Sequence, residues 1–257
     1  MSLVKLSARL RAHDWTAALI ELIIVILGIL IALQVSNWNQ DRLDRVRADS
    51  YYRRIHAELV ADRESIDVVR NFWKTVSGYG SAAITHSENG ALVDGSNWKT
   101  LLAYYQASQI MPFQLEDTTF LEMRDSGDLA LIADERLRKR LADYCRLTGT
   151  GMTANILRHD PVYRMQIRGL TPSVVQEYIW KNCFRQLGGT NQELIDCPSP
   201  IDESVAATII ERYRSADQLL QNLRYWVSSL AVSAIVLDGA RKEAVSLADA
   251  VEGAGGE

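Results

Sequence analysis

The sequence predicts an all-α protein with one N-terminal transmembrane helix followed by a helical-bundle extramembrane domain. Three observations lead there. Residues Trp15 to Trp38 hold about 20 nearly unbroken apolar residues, the length a helix needs to cross a hydrocarbon core. Beyond them, apolar residues recur at spacings of three and four. Sustained period-two alternation is lacking, and Asn89-Gly90 and Asp94-Gly95 have only Ala91 to Val93 between them, a poor hairpin context.

Four segments follow: 1–14 as an interfacial N-terminal piece, 15–38 as the transmembrane helix, 39–252 as the helical domain and 253–257 as a disordered tail. In the first, Leu3, Leu6 and Leu10 fall on one side of a short helix, away from Lys5 and Arg9. In the second, a rise of about 1.5 Å per residue sets Trp15 and Trp38 about 34 Å apart, which suits indoles anchored at the two headgroup levels of a lipid bilayer. A cleaved signal peptide and a buried core helix are the alternatives. Against the first, the run is long and no small-x-small site follows it; against the second, it is apolar around its whole circumference.

In the third segment, Tyr52, Ile55, Leu59, Ile66, Val69, Trp73 and Val76 make a seam, broken only at Asp62, that predicts a long amphipathic helix over Gln40 to Val76. The seam packs either on later helices of the chain or in a coiled-coil-like manner. Ser77 to Ser96, rich in Gly, Ser, Ala and Asn, reads as a connection. Helices follow over Trp98 to Ile110 and Asp117 to Asp125, with a turn at Ser126-Gly127-Asp128. The next starts at Asp134, with Leu137, Leu141, Tyr144 and Cys145 on one side, and runs towards His159 before Pro161. Thr171-Pro172 opens another, with Val174, Val175, Tyr178 and Ile179 inward. The last runs from Ile201, bends around Ser215 and carries a stripe of Leu219, Leu223, Trp226, Leu230, Ala234 and Leu237.

Composition bounds the function. A net charge of −4 over 257 residues, with bases interleaved among acids, argues against a nucleic-acid partner. The positive-inside count is close to neutral: Lys5, Arg9 and Arg11 precede the anchor, and the bases behind it are mixed with Asp41, Asp44 and Asp49. Cys183 and Cys197 bracket a loop with little else to pin it. A disulfide there would stabilise by about 3 kcal/mol on the chain-entropy account and place the domain in an oxidising compartment, periplasmic or extracellular; free thiols in a cytosolic domain are the alternative.

The search for chemistry finds no catalytic, cofactor-binding or metal-binding constellation. His13, His56, His86 and His159 lack Glu-x-x-His partners, and no Cys-x-x-Cys occurs. Gly149-Thr-Gly151 is too short for a phosphate loop. Glu58 with Asp62 reads as a solvated helix face, and His159-Asp160 as a helix terminus. The anchor holds the more unusual residues. Glu21 lies inside the apolar run, where an ionised carboxylate is costly without a partner. Gly28, Ala32 and Ser36 form a small-residue ladder that, with Glu21, makes one helix-contact face. Contact with another helix is one reading of that face; the other is a snorkelling Glu21 and an ordinary membrane glycine.

From Glu21 to Asn39 the anchor reads ELIIVILGILIALQVSNWN. It resembles the N-terminal anchor of a bacterial membrane-protein family of unknown function, which shares the Glu, the Gly-Ile pair, Ile-Ala-Leu-Gln and the closing Asn-Trp-Asn. Thr119 to Arg138 is similar to a second stretch of that family, with Met123 in place of Leu and Asp125 in place of Ser. The remainder is only loosely comparable. The resemblance implies single-pass topology in a bacterial cytoplasmic membrane and a helical domain, and carries over no reaction.

Three functions stay open. One is an accessory or scaffold subunit packed on a membrane protein complex, with Trp and Tyr residues as interface anchors. Another is a homo-oligomeric sensor or pore-like assembly with Glu21 towards its axis, and the last an enzyme whose acids meet only in three dimensions.

Overall fold

The computed structural model describes residues 14–152, 161–189 and 191–255. The interfacial segment expected before Asp14, the continuation towards His159 and residues 256–257 lie outside them. The described residues form eight α-helices and one two-stranded sheet, an all-α architecture. The chain comprises two compact units, Met1–Tyr51 and Tyr52–Glu257.

Helix α1 (Asp14–Asn89) supplies all the described structure of the first unit and opens the second. Within the first unit every side chain from Leu19 to Leu43 is exposed, the apolar ones included. Near the end of that stretch polar side chains pair along the helix: Gln40 and Arg47 both donate to Asp44, and Arg47 holds the Asp44 carboxyl below its usual range.

In the second unit the predicted seam of α1 is buried from Tyr52 to Val76. The helix does not stop there. It runs on through the Gly- and Ser-rich stretch expected to be a connection, because Ala83 and His86 enter the core; the Ser81 and Thr85 hydroxyls are satisfied on the carbonyls one turn back. Gly90 ends it in the left-handed region at φ 79°, its N–H bonded to the His86 carbonyl. Gly80 has a second role. A Cβ there would collide with Val227, so its bare backbone permits close approach of the last helix.

The other helices are α2 (Asn97–Gln106), α3 (Thr118–Ser126), α4 (Glu135–Tyr144), α5 (Val162–Leu170), α6 (Ser173–Asn182), α7 (Glu203–Arg214) and α8 (Leu219–Gly255). A π-helical stretch, Cys145–Met152, extends α4. Side-chain caps mark the starts of α2 and α4, where Ser96 accepts from Lys99 and Asp134 from Arg136. Helix α5 was not expected, and α6 starts with Pro172 as its N-cap, not inside the first turn. Val174 points outward at 69% exposure, leaving Val175 and Ile179 as the buried pair. On α8, Ser233 takes the inward place assigned to Ala234; its hydroxyl donates to the Ser229 carbonyl, so burial leaves it satisfied. Residues 253–255, expected as part of the disordered tail, close α8, and Val251 just before them is buried.

The hairpin Phe184–Gly188 with Asn191–Leu194 was also missed. Its pairs run from Phe184 opposite Leu194 to Gly188 opposite Asn191. FRQLG and NQEL carry no alternation strong enough to signal a strand. Their pairing is imposed locally, by Gly188 and Gly189 at φ 109° and 55° and by the Cys183–Cys197 bond that closes the loop behind them.

Gly78 and Gly80 of α1 make a paired test. Gly78 is exposed with open space where a Cβ would go, so Gly78→Ala should raise stability by about 1 kcal/mol through helix propensity. Gly80→Leu should lower it by about 1–3 kcal/mol through overpacking, both read from urea unfolding of the full chain.

Candidate functional site

Two places in the molecule pose physical problems that ordinary packing does not answer. One belongs to each compact unit.

The first is the anchor face. Helical geometry sets Glu21, Gly28, Ala32 and Ser36 within an arc of about 80°, all exposed, and nothing lies within 4 Å of the position a Gly28 Cβ would take. Gln34 falls about 140° away from Glu21 and belongs to another side. Trp15 and Trp38 stand at the two ends at 77% and 62% exposure. This part of α1 is long and apolar enough to cross a membrane.

The second is a buried carboxylate. Asp62 interrupts the apolar seam of α1 and is 0% exposed, which corrects the reading of Glu58 and Asp62 as a solvated face. Its Oδ1 accepts from the Glu116 N–H at 2.9 Å and its Oδ2 from the Tyr144 hydroxyl at 2.9 Å. One turn earlier, Glu58 accepts from both the N–H and the hydroxyl of Thr119, in the first turn of α3. The pair thus satisfies backbone donors at a helix start, a task that periodicity cannot reveal. A polar residue in register with an apolar seam was the available signal.

Burial pushes Asp62 up from its ordinary 3.8 to about 7; the two hydrogen bonds oppose the shift, and the nearby Glu116 and Glu58 carboxylates add to it. Tyr144, desolvated and bonded to Asp62, is held far above its usual range and stays neutral. Burial likewise raises the half-buried Cys145 thiol to about 12, so it is no thiolate at neutral pH. Chemically, the centre can take up one proton near neutrality. The neutral Asp62 carboxyl can donate to the Tyr144 oxygen and still accept from Glu116.

Glu203 is the contrast. From the first turn of α7 it accepts from the Ser96 hydroxyl and the Asn97 N–H at the start of α2. The Ser96 hydrogen bond, ahead of the backbone donors, lowers its pKa. A carboxylate with donors in a hydrated place keeps its charge, while desolvation in the core drives one towards its neutral form despite its donors.

The remaining expected residues are placed as follows. Cys183 and Cys197 are bonded to each other, their Cα atoms 5.2 Å apart. His86 is buried, its Nδ1 3.1 Å from the Tyr104 hydroxyl, and burial, then Arg214, lower its pKa. His13 and His159 lie outside the described residues. Trp73 of the seam, Trp226 of the α8 stripe and Trp98 are core residues whose indole N–H groups donate to the carbonyls of Met111, Ala107 and Cys197. Among the described residues no group of three or more His, Cys, Asp or Glu could hold a metal ion.

Comparison of the chain with protein-family models, with curated proteins and with solved structures finds no match. The resemblance of the anchor and of Thr119 to Arg138 therefore rests on those residues alone.

Two tests follow from this geometry. Folding favours neutral Asp62, so the stability tied to its protonation is fully present below pH 3.8 and lost as pH rises through about 7. Unfolding free energy should thus fall by about 1–3 kcal/mol between pH 5 and 8, and Asp62→Asn should remove that slope in denaturant titrations. An unchanged slope would place its source elsewhere. Replacing both Cys183 and Cys197 by Ser should cost about 3 kcal/mol, with the wild type in strong reductant falling to the same midpoint.

Proposed function

We propose that this chain is a single-pass membrane-anchored accessory or scaffold subunit that packs on a membrane protein complex through its anchor. One observation carries the reading: from Leu19 to Leu43 no side chain is covered by the rest of the protein. An apolar surface of that size needs lipid or protein around it. Lipid alone leaves Glu21 without a partner in hydrocarbon, whereas a neighbouring helix seated on Gly28 and Ala32 could bring it one. The inner membrane of a bacterium is the location the resemblance supports. The Cys183–Cys197 bond supports an oxidising, periplasmic side for the second unit.

The test is native purification in mild detergent with mass spectrometry of the co-eluting chains. A foreign membrane protein at fixed stoichiometry is the expected result. Gly28→Leu and Ala32→Leu should each abolish it while leaving the unfolding midpoint of the second unit unchanged. A clean homo-oligomer, disturbed by Glu21→Gln, would replace this reading with that of a self-assembling sensor or pore.

A further inference from the structure

The Asp62 centre joins three elements of the second unit, and they are not held equally. Helix α1 is pinned along its buried seam, and the connection before α3 by side chains of Trp73, Arg164, Gln192 and Trp226. Helix α4 has less. It buries one side, Leu137, Leu141 and Tyr144, while an open cleft of about 640 Å³ lies between it and α8. Beside that cleft the tie is Arg140, bonded to Glu243 and Ser246; the charged pair is partly exposed, where an ion pair adds little. Past Tyr144 the helix turns π-helical, a rare geometry that recurs at functional sites. Among the described residues, the Tyr144 hydroxyl on Asp62 is the one buried polar bond from α4 to α1.

That bond sits among acids. The charged groups facing Asp62 are Glu58, one turn back on α1, and Glu116 of the connection. Around Tyr144 stand Asp62 itself, the Cys145 thiol and Glu243 of α8, and Asp117 of the connection acts on Cys145. Arg140 is turned to Glu243 and Ser246, and among the described residues no Lys or Arg pairs with Asp62. Neutral, the Asp62 carboxyl completes a satisfied set with the Glu116 N–H and the Tyr144 hydroxyl. Ionised, it is a desolvated charge beside two others of its own sign. Exposure to water relieves that charge, and of the three elements α4 is the one least held in place.

We propose that the Asp62–Tyr144 contact is a proton-operated latch: the neutral carboxyl holds α4 and its π-helical extension on α1, and ionisation shifts that segment to a detached state with the other helices in place. The ligand is the proton itself, and release uncovers Leu137, Leu141 and Tyr144. In the detached state Asp62 is hydrated and returns towards its ordinary 3.8, so opening grows as pH rises above 3.8 and levels off above about 7. No residue of the anchor takes part, so the latch is independent of the accessory-subunit reading.

The experiment is hydrogen–deuterium exchange of the full chain in phospholipid nanodiscs from pH 5 to pH 8, each rate divided by the intrinsic rate at its pH. Protection of peptides covering 135–148 should fall by about ten- to a hundredfold across that range, most of it below pH 7. At pH 8 these peptides should exchange at least about tenfold faster than those covering 97–106, and without acceleration in low urea, the mark of an opening that exposes little surface. Asp62→Asn offers an oxygen to Glu116 and an amide to Tyr144 without a charge, and should keep 135–148 at its pH 5 protection throughout. Tyr144→Phe, which removes the bond, should lower the protection of that segment already at pH 5. Exchange of 135–148 at the rate and with the urea dependence of 97–106 would show that it opens only in global unfolding, and overturns the proposal. So does protection that ignores pH, a slope that survives Asp62→Asn, or unchanged pH 5 protection in Tyr144→Phe. None of these outcomes bears on whether the anchor has a partner.

Discussion

The second unit is organised around an irregular backbone segment that passes through its core. Residues 107–117 join α2 to α3, and Ala107, Ser108, Gln109, Met111 and Phe113 are buried. Unpaired backbone polar groups in such a place are destabilising, so each must meet a donor or acceptor from elsewhere. Trp226 donates to the Ala107 carbonyl, Arg164 to that of Ser108, Gln192 to that of Ile110 and Trp73 to that of Met111. Asp62 accepts from the Glu116 N–H. Side chains from α1, α5, α8 and the hairpin therefore converge on one connection. None of these elements could shift by a turn without leaving a carbonyl or N–H unsatisfied.

The same constraint explains Asp62. An apolar residue would continue the α1 seam, but the Glu116 N–H and the Tyr144 hydroxyl would then be buried without acceptors. The carboxylate answers both and is itself poorly placed, being desolvated and near two other acids. Its raised pKa records that conflict. The fold thereby holds a proton-sensitive bond between α1 and α4.

The anchor poses the opposite problem. In the core, polar backbone must be hidden among side chains that satisfy it; in the first unit, apolar side chains stand uncovered on a helix whose backbone is satisfied by its own turns. Only a surrounding phase or another protein can answer that. Glu21 lies on the same arc as Gly28 and Ala32 and is the one acidic side chain within that apolar run.

Read alone, the chain determined its helical class, the long apolar N-terminal helix, the α1 seam and the α8 stripe, because apolar spacing is a local property of sequence. It also raised the Cys183 to Cys197 loop as a candidate bridge. What spacing does not encode was decided by tertiary structure. Helix α1 outran its Gly- and Ser-rich stretch because Ala83 and His86 found burial there, and Gly80 became a contact point because Val227 packs on it. The hairpin formed because its ends are tied. Asp62 reads as a flaw in the seam until Glu116 and Tyr144, 54 and 82 residues away, are brought to it. The stripes place Trp73 and Trp226 inward, but only the fold shows that their indoles serve the carbonyls of Met111 and Ala107. Polar satisfaction inside a core joins groups distant along the chain, so a sequence shows the donors and acceptors while only the fold pairs them.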